Sequence, residues 1–207
     1  GECNMNVKLL LAVMTLGLNG AAFAADGPKV EYTADSSMET AQGAMKGRVY
    51  SAPGKERREM NQGGQKMITI MRQDKKAVWM LMPEQKMYME TTMGKGDSRP
   101  EDMSGYKIEQ TVVGPETVNG VSTTKSKVIM TDGKGMKMGG FMWHTADKIA
   151  VKTDVIAMDK SNKARIKMDL TNLKVGKQDP ALFEIPAGYT RMDMGGMMGG
   201  AMGRPHK

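Results

Sequence analysis

The sequence predicts a mainly β protein built from antiparallel strands, on three observations. Turn chemistry recurs about every ten residues, the spacing expected between short strands. The segments between turns alternate in polarity or are rich in β-branched residues, and convincing helical segments are scarce.

In chain order, strands are expected at residues 30–34, 47–51, 57–61, 66–72, 77–82 and 86–91, then at 107–113, 121–131, 137–145, 149–158 and 164–175. Turns fall at 52–55, 73–76, 119–120, 132–135 and 160–162, each carrying Gly, Pro, Asn, Asp or Ser. Asn119-Gly120 is the strongest hairpin signal, since both positions tolerate the positive φ of a type I′ turn. Residues 94–105 read as a polar loop. Asp179 before Pro180 marks a capped single turn ending at Phe183.

The strand faces are informative. Met67, Thr69 and Met71 point to one side and Ile68 and Ile70 to the other, because successive side chains alternate. Residues 77–82 set Val78, Met80 and Met82 against Ala77, Trp79 and Leu81, so both sides are apolar. Met87 and Met89 follow, opposite Lys86, Tyr88 and Glu90. Two-sided strands of this kind belong to the centre of a sheet, covered on both faces or lining an apolar cavity.

Composition makes methionine central. Leu, Ile, Val and Phe total 33 of 207 residues, whereas Met alone numbers 24. Without Met that fraction is about 16%, below the ~20% at which a charged chain is suspected of disorder. Methionine must therefore build much of any core. The length suits a single antiparallel β domain over residues 25–194, followed by a disordered Gly/Met-rich tail at 195–207.

The first residues carry an export signal. From Met5 a short polar start with Lys8 leads into an apolar run from Leu9 to Leu18 and then Ala22-Phe23-Ala24, the order of a secretory signal peptide. The run is about half of the ~20 residues that a bilayer span requires. Residues 1–24 are thus expected to be signal peptide with upstream residues, cleaved near Ala24, and the protein periplasmic or secreted. Cys3 is the only cysteine, so the mature chain would hold no thiol. Disulfides, thiolate metal sites and cysteine nucleophiles are excluded together. The net charge of +7 would otherwise raise nucleic acid as a partner. Export removes it and leaves an anionic membrane surface as the counterpart. The oligomeric state is not legible.

Residues 67–91, MITIMRQDKKAVWMLMPEQKMYMET, resemble a family of exported bacterial proteins that carry a domain of unknown function, and residues 178–194, QDPALFEIPAGYTRMDM, are similar to the end of that domain. The resemblance covers roughly residues 30–194. That family in turn looks distantly like the periplasmic lipoprotein-carrier and lipoprotein-sorting proteins. It implies a curved antiparallel sheet, a half-barrel with few short helices whose concave face accepts acyl chains.

Catalysis has little to stand on. The mature chain holds two histidines, His144 and His206, with no G-x-S-x-G elbow, phosphate loop or H-E-x-x-H helix. Its carboxylates sit in turns or alternate with lysines, as in Lys107-Ile108-Glu109, which reads as a solvated face. The protein is not expected to be an enzyme.

The methionines admit two further readings besides plain core filler. Unbranched, polarizable Met repacks around ligands of varied shape. A face lined by Met67, Met71, Met80, Met82, Met87 and Met89 would accept an apolar ligand such as a lipid or a lipoprotein acyl chain, with no cofactor. The alternative is Cu(I), which thioethers suit. Met136, Met138, Met142 and His144 share one parity on a strand, with Trp143 opposite, unless Gly139-Gly140 forms a bulge. Met192, Met194, Met197, Met198 and Met202, with His206 beyond, would be a second set. A structural or envelope-interaction role is the third reading.

Overall fold

The computed structural model describes residues 28–40, 43–62, 64–93, 107–131, 135–158 and 165–192. The expected signal peptide, the 94–105 loop and the 195–207 tail lie outside the described residues, as do the turn at 160–162 and all but residue 135 of the turn at 132–135.

The chain forms β1 (Tyr32–Thr40), β2 (Gly43–Ala52), β3 (Lys55–Gln62), β4 (Gln65–Arg72), β5 (Ala77–Met82), β6 (Met87–Thr92), β7 (Lys107–Val118), β8 (Val121–Thr131), β9 (Lys137–His144), β10 (Ala150–Ala157), β11 (Arg165–Val175) and β12 (Thr190–Arg191). Each of the eleven expected strands overlaps one of these. Asn119 and Gly120 turn the β7–β8 hairpin at φ 50° and 77°, the two positive values a type I′ turn needs. Pro180–Phe183 is a single 3-10 turn, and the Asp179 side chain accepts from the Ala181 N–H as its cap. β1 runs further than expected. Its second half, Asp35 to Thr40, is polar apart from Met38, and Ser36 and Met38 continue the inward alternation of Ala34. β7 continues through Pro115, which an edge strand tolerates because its missing N–H faces no partner, and a bulge at Val112/Gly114 absorbs the misfit.

All twelve strands belong to one curved, unclosed sheet in the order β12-β6-β5-β4-β3-β2-β1-β11-β10-β9-β8-β7. Two antiparallel meanders, β1–β6 and β7–β11, are joined by the pairing of β1 with β11. The order itself demands curvature. β6 and β7 are consecutive in sequence yet ten strand steps apart, ~48 Å along a flat sheet. The chain from Met93 to Lys107 can reach ~50 Å only if fully extended.

One contact identifies the concave side. The Arg58 guanidinium on β3 reaches the Met168 sulfur on β11 at 3.6 Å, although three strand steps, ~14 Å when flat, separate their strands. Side chains of strands that far apart converge on the inside of a curve. Asn119, at the tip of the β7–β8 hairpin, ties that tip to β11 by donating to the Leu170 carbonyl at 2.8 Å.

Two glycines permit that curve. On the inner face of β2, a Cβ at Gly47 would lie 1.8 Å from the Glu59 carbonyl oxygen, and on β9 a Cβ at Gly140 would lie 2.0 Å from that of Asp154. Neighbouring backbone occupies the space where any other residue carries a side chain, as at the glycine kinks of curved sheets. Gly139-Gly140 forms no bulge: the β8–β9–β10 register runs unbroken from Met138 to Trp143.

After β11 the chain crosses the outer face of the first meander and returns as β12, parallel to β6. This strap buries Phe183 against Ile68, Ile70, Trp79 and Leu81. Two arginines hold it: Arg57 donates to the Leu182 carbonyl at 3.1 Å and Arg72 to the Phe183 carbonyl at 3.0 Å.

Candidate binding site on the concave face

Residues directly opposed in adjacent strands share a face, so the register places the candidate methionines. Ala34, Val49, Arg58, Thr69, Met80 and Met89 form one row across β1 to β6. Alongside it, Met60 opposes Met67 and Met82 opposes Met87, while Glu56 opposes Met71. Met67, Met71, Met80, Met82, Met87 and Met89 therefore all stand on the inner face, the side from which Arg58 reaches Met168.

That face has two parts. Across β1–β3 and β8–β11 it is filled by a core of Met38, Met45, Met60, Met130, Met138, Met142 and Met168 with Val128, Val155 and Ile166. Across β4–β6 only Met71 is buried, and Met67, Met80, Met82, Met87 and Met89 are half-buried. The reverse side of those same strands is sealed by the strap.

A charged pair lies within the apolar surroundings. Arg58 donates from Nε to Glu56 Oε1 at 2.6 Å, with side chains 7% and 10% exposed. Tyr32, at the end of the same face, has its phenol pushed up by burial and by the Glu56 charge, with Arg58 and a Ser51 hydrogen bond opposing. It stays neutral at physiological pH. The Ser36 hydroxyl, on the strand that Arg58 spans, is buried without a partner. These groups can offer hydrogen bonds to a polar ligand group.

Sequence reasoning missed this pair. It assigned carboxylates to solvated faces, which holds for Lys107–Glu109 but fails for Glu56. The signal was the run Glu56-Arg57-Arg58-Glu59, which places one Glu–Arg pair on each face of β3. Glu56–Arg58 is inside, and Arg57–Glu59 at 2.7 Å is outside. Burial raises the Glu59 pKa, but hydrogen bonds from Lys66 and Arg57 outweigh it and hold the carboxyl below its ordinary value.

The soft-metal candidates are distributed differently. Met138 and Met142 are core residues, and Met136 is more exposed, ahead of β9. His144 is half-buried, and burial lowers its pKa against an opposing hydrogen bond with the Thr124 backbone. Trp143 stands on the outer face beneath Lys125 and Lys152. The Met192 N–H donates to the Tyr88 carbonyl at 2.8 Å. Met194, Met197, Met198, Met202 and His206 lie outside the described residues. Among the described residues no three His, Cys, Asp or Glu side chains gather to hold a metal.

The family model described as a domain of unknown function (DUF4412) matches residues 35–153, more than half of the chain. The chain belongs to the DUF4412 family. Of the two segments that carry the sequence resemblance, 67–91 lies inside the matched region and 178–194, whose described residues to Met192 include the strap and β12, lies beyond it. No curated protein matches the chain in sequence.

Among solved structures, this DUF4412 chain is similar to an uncharacterized conserved protein from Thermus thermophilus, at 13% identity and TM-score 0.55, covering 91% of this chain and 98% of that one. It also resembles the Mycobacterium tuberculosis lipoprotein LppX, at 9% identity and TM-score 0.40, covering 86% and 99%. Pseudomonas aeruginosa MucB, solved with MucA, matches at 11% identity and TM-score 0.48, covering 85% of this chain and 61% of that one. The chain thus spans about three fifths of MucB. The Thermus protein establishes the shared fold and nothing about activity.

Proposed function

We propose that this protein is an exported, non-enzymatic carrier that holds an apolar ligand, such as a lipid or lipoprotein acyl chain, against the methionines of β4–β6. The observation that carries the proposal is the asymmetry of these strands. Their outer side is closed by Phe183 and the strap, whereas Met67, Met80, Met82, Met87 and Met89 on the inner side are half-buried. An apolar strip of flexible thioethers suits acyl chains of differing length and unsaturation. The family resemblance in residues 67–91 supports the same reading. The soft-metal alternative draws no support from Met138 and Met142, which are packed into the core.

Native mass spectrometry of the protein purified from an exporting host tests the proposal, together with thermal shift against fatty acids and a diacylated lipopeptide. The expected result is a co-purified lipid mass and a raised Tm, both lost in a Met80→Gln/Met89→Gln variant that keeps its fold by circular dichroism. A protein that neither retains lipid nor gains stability with any acyl ligand would overturn it.

A further inference from the structure

We infer that the outer face of β8–β11 is a docking surface for a bilayer containing anionic lipid. The strap packs against the first meander; on the outer face of the second, Trp143 is buried in a cluster with Val118 and Ile149, while side chains further along β9 and β10 are open. Large apolar side chains are left in the open there: Phe141 is 38% exposed, Ile156 51% and Met158 54%. They are neighbours. Phe141 on β9 opposes Asp154 on β10, Ile156 opposes Gly139, and the Met158 sulfur lies 3.1 Å from where a Gly139 Cβ would stand.

Cations surround them. Lys127 opposes Phe141 across the β8–β9 pair, Lys137 begins β9, and both are exposed. Neither they nor Lys152 form an ion pair among the described residues. Lys125 lies 4.8 Å from the Phe141 ring centroid and 4.9 Å from that of Trp143, and Lys152 lies 5.1 Å from Trp143 on its other flank. The ammonium groups of Lys125 and Lys152 thus lie over the aromatic rings as cation–π contacts, which interleaves positive charge with the apolar surface.

A broad sheet face with exposed apolar side chains among lysines matches the interfacial zone of a membrane, where apolar groups enter the headgroup boundary and ammonium groups meet anionic headgroups. A second copy of this chain fits poorly. A two-fold contact would set the same lysines against one another. The face lies on the opposite side of the sheet from the methionine strip, so the inference stands without the carrier reading.

Flotation of the full chain with vesicles tests it, comparing phosphatidylcholine alone with phosphatidylcholine containing phosphatidylglycerol. Binding is expected only with the anionic vesicles, and it should fall steeply in high salt as headgroup charges are screened. Lys127→Glu/Lys137→Glu should weaken partitioning ~10-fold or more, since each lysine near the surface contributes about one kcal/mol. Phe141→Ser/Ile156→Ser should weaken it at unchanged net charge, with Tm preserved in both variants. Equal binding to neutral vesicles would overturn the inference, as would anionic binding that both variants retain. So would a salt-sensitive dimer in sedimentation that these same variants dissociate.

Discussion

Arg58 and Glu56 form an ion pair, 2.6 Å from Nε to Oε1, on the inner face of a sheet otherwise lined mainly by methionine and aliphatic side chains. The guanidinium continues to the Met168 sulfur, so one charged side chain links the two meanders. A pair taken out of water gains little net stability, but either member left alone is an uncompensated buried charge.

Arg58→Met should therefore destabilise the fold by about 3–5 kcal/mol, and Glu56→Leu/Arg58→Met by much less. Urea denaturation of the two variants checks this. A double variant as unstable as the single one would show that the pair does more than neutralise itself.

The inner-face glycines make a second prediction. Gly47→Ala and Gly140→Ala force a Cβ into neighbouring backbone and should cost at least ~1–3 kcal/mol each, the range for overpacked interiors. Gly139→Ala meets the flexible end of Met158 at 3.1 Å and the Val128 carbonyl at an ordinary 3.7 Å, and should be far milder. Thermal melts of the three variants give the ranking.

Acid should loosen the strap. Arg72 donates to Asp74 at 2.7 and 2.8 Å and also pairs with Glu184, which Lys75 holds at 2.9 Å. The Arg72 hydrogen bond depresses Asp74 to about 2, and the Lys75 hydrogen bond, aided by Arg72, lowers Glu184 against an opposing burial effect. Both are carboxyls with folded values below their unfolded ones. Their contribution is therefore complete above the unfolded value of ~4 and is lost as pH falls toward the folded value. Trp79 reports on it, since Arg72 and Lys75 lie 5.9 and 5.1 Å from its ring. Its fluorescence should change between about pH 4 and 2, and Asp74→Asn should diminish that change.

Phe183 tests the strap as a seal. It is 1% exposed against Ile70, Trp79 and Leu81, so Phe183→Ala should cost ~3–5 kcal/mol. It should also raise binding of a hydrophobic dye. A loss below ~1 kcal/mol would mean that the strap carries little of the fold's stability.

Local pattern was enough to find the strands, the Asn119-Gly120 turn and the Asp179 cap, because alternation, turn residues and caps act within a few residues of one another. It also put Met67, Met71, Met80, Met82, Met87 and Met89 on one face, since parity within a strand and short hairpins between strands leave little freedom of register. The pairing of β1 with β11 and the return of β12 to β6 join residues far apart in the chain, and no local pattern encodes such closures. The burial of Glu56 and Arg58 followed from them. Alternation shows that the two share a face, but only the curvature that brings Arg58 to Met168 decides whether that face meets water or protein. The same curvature divided the methionines into a packed core around Met38, Met45 and Met168 and a half-buried strip from Met67 to Met89, because burial depends on what the far side of the sheet brings within reach.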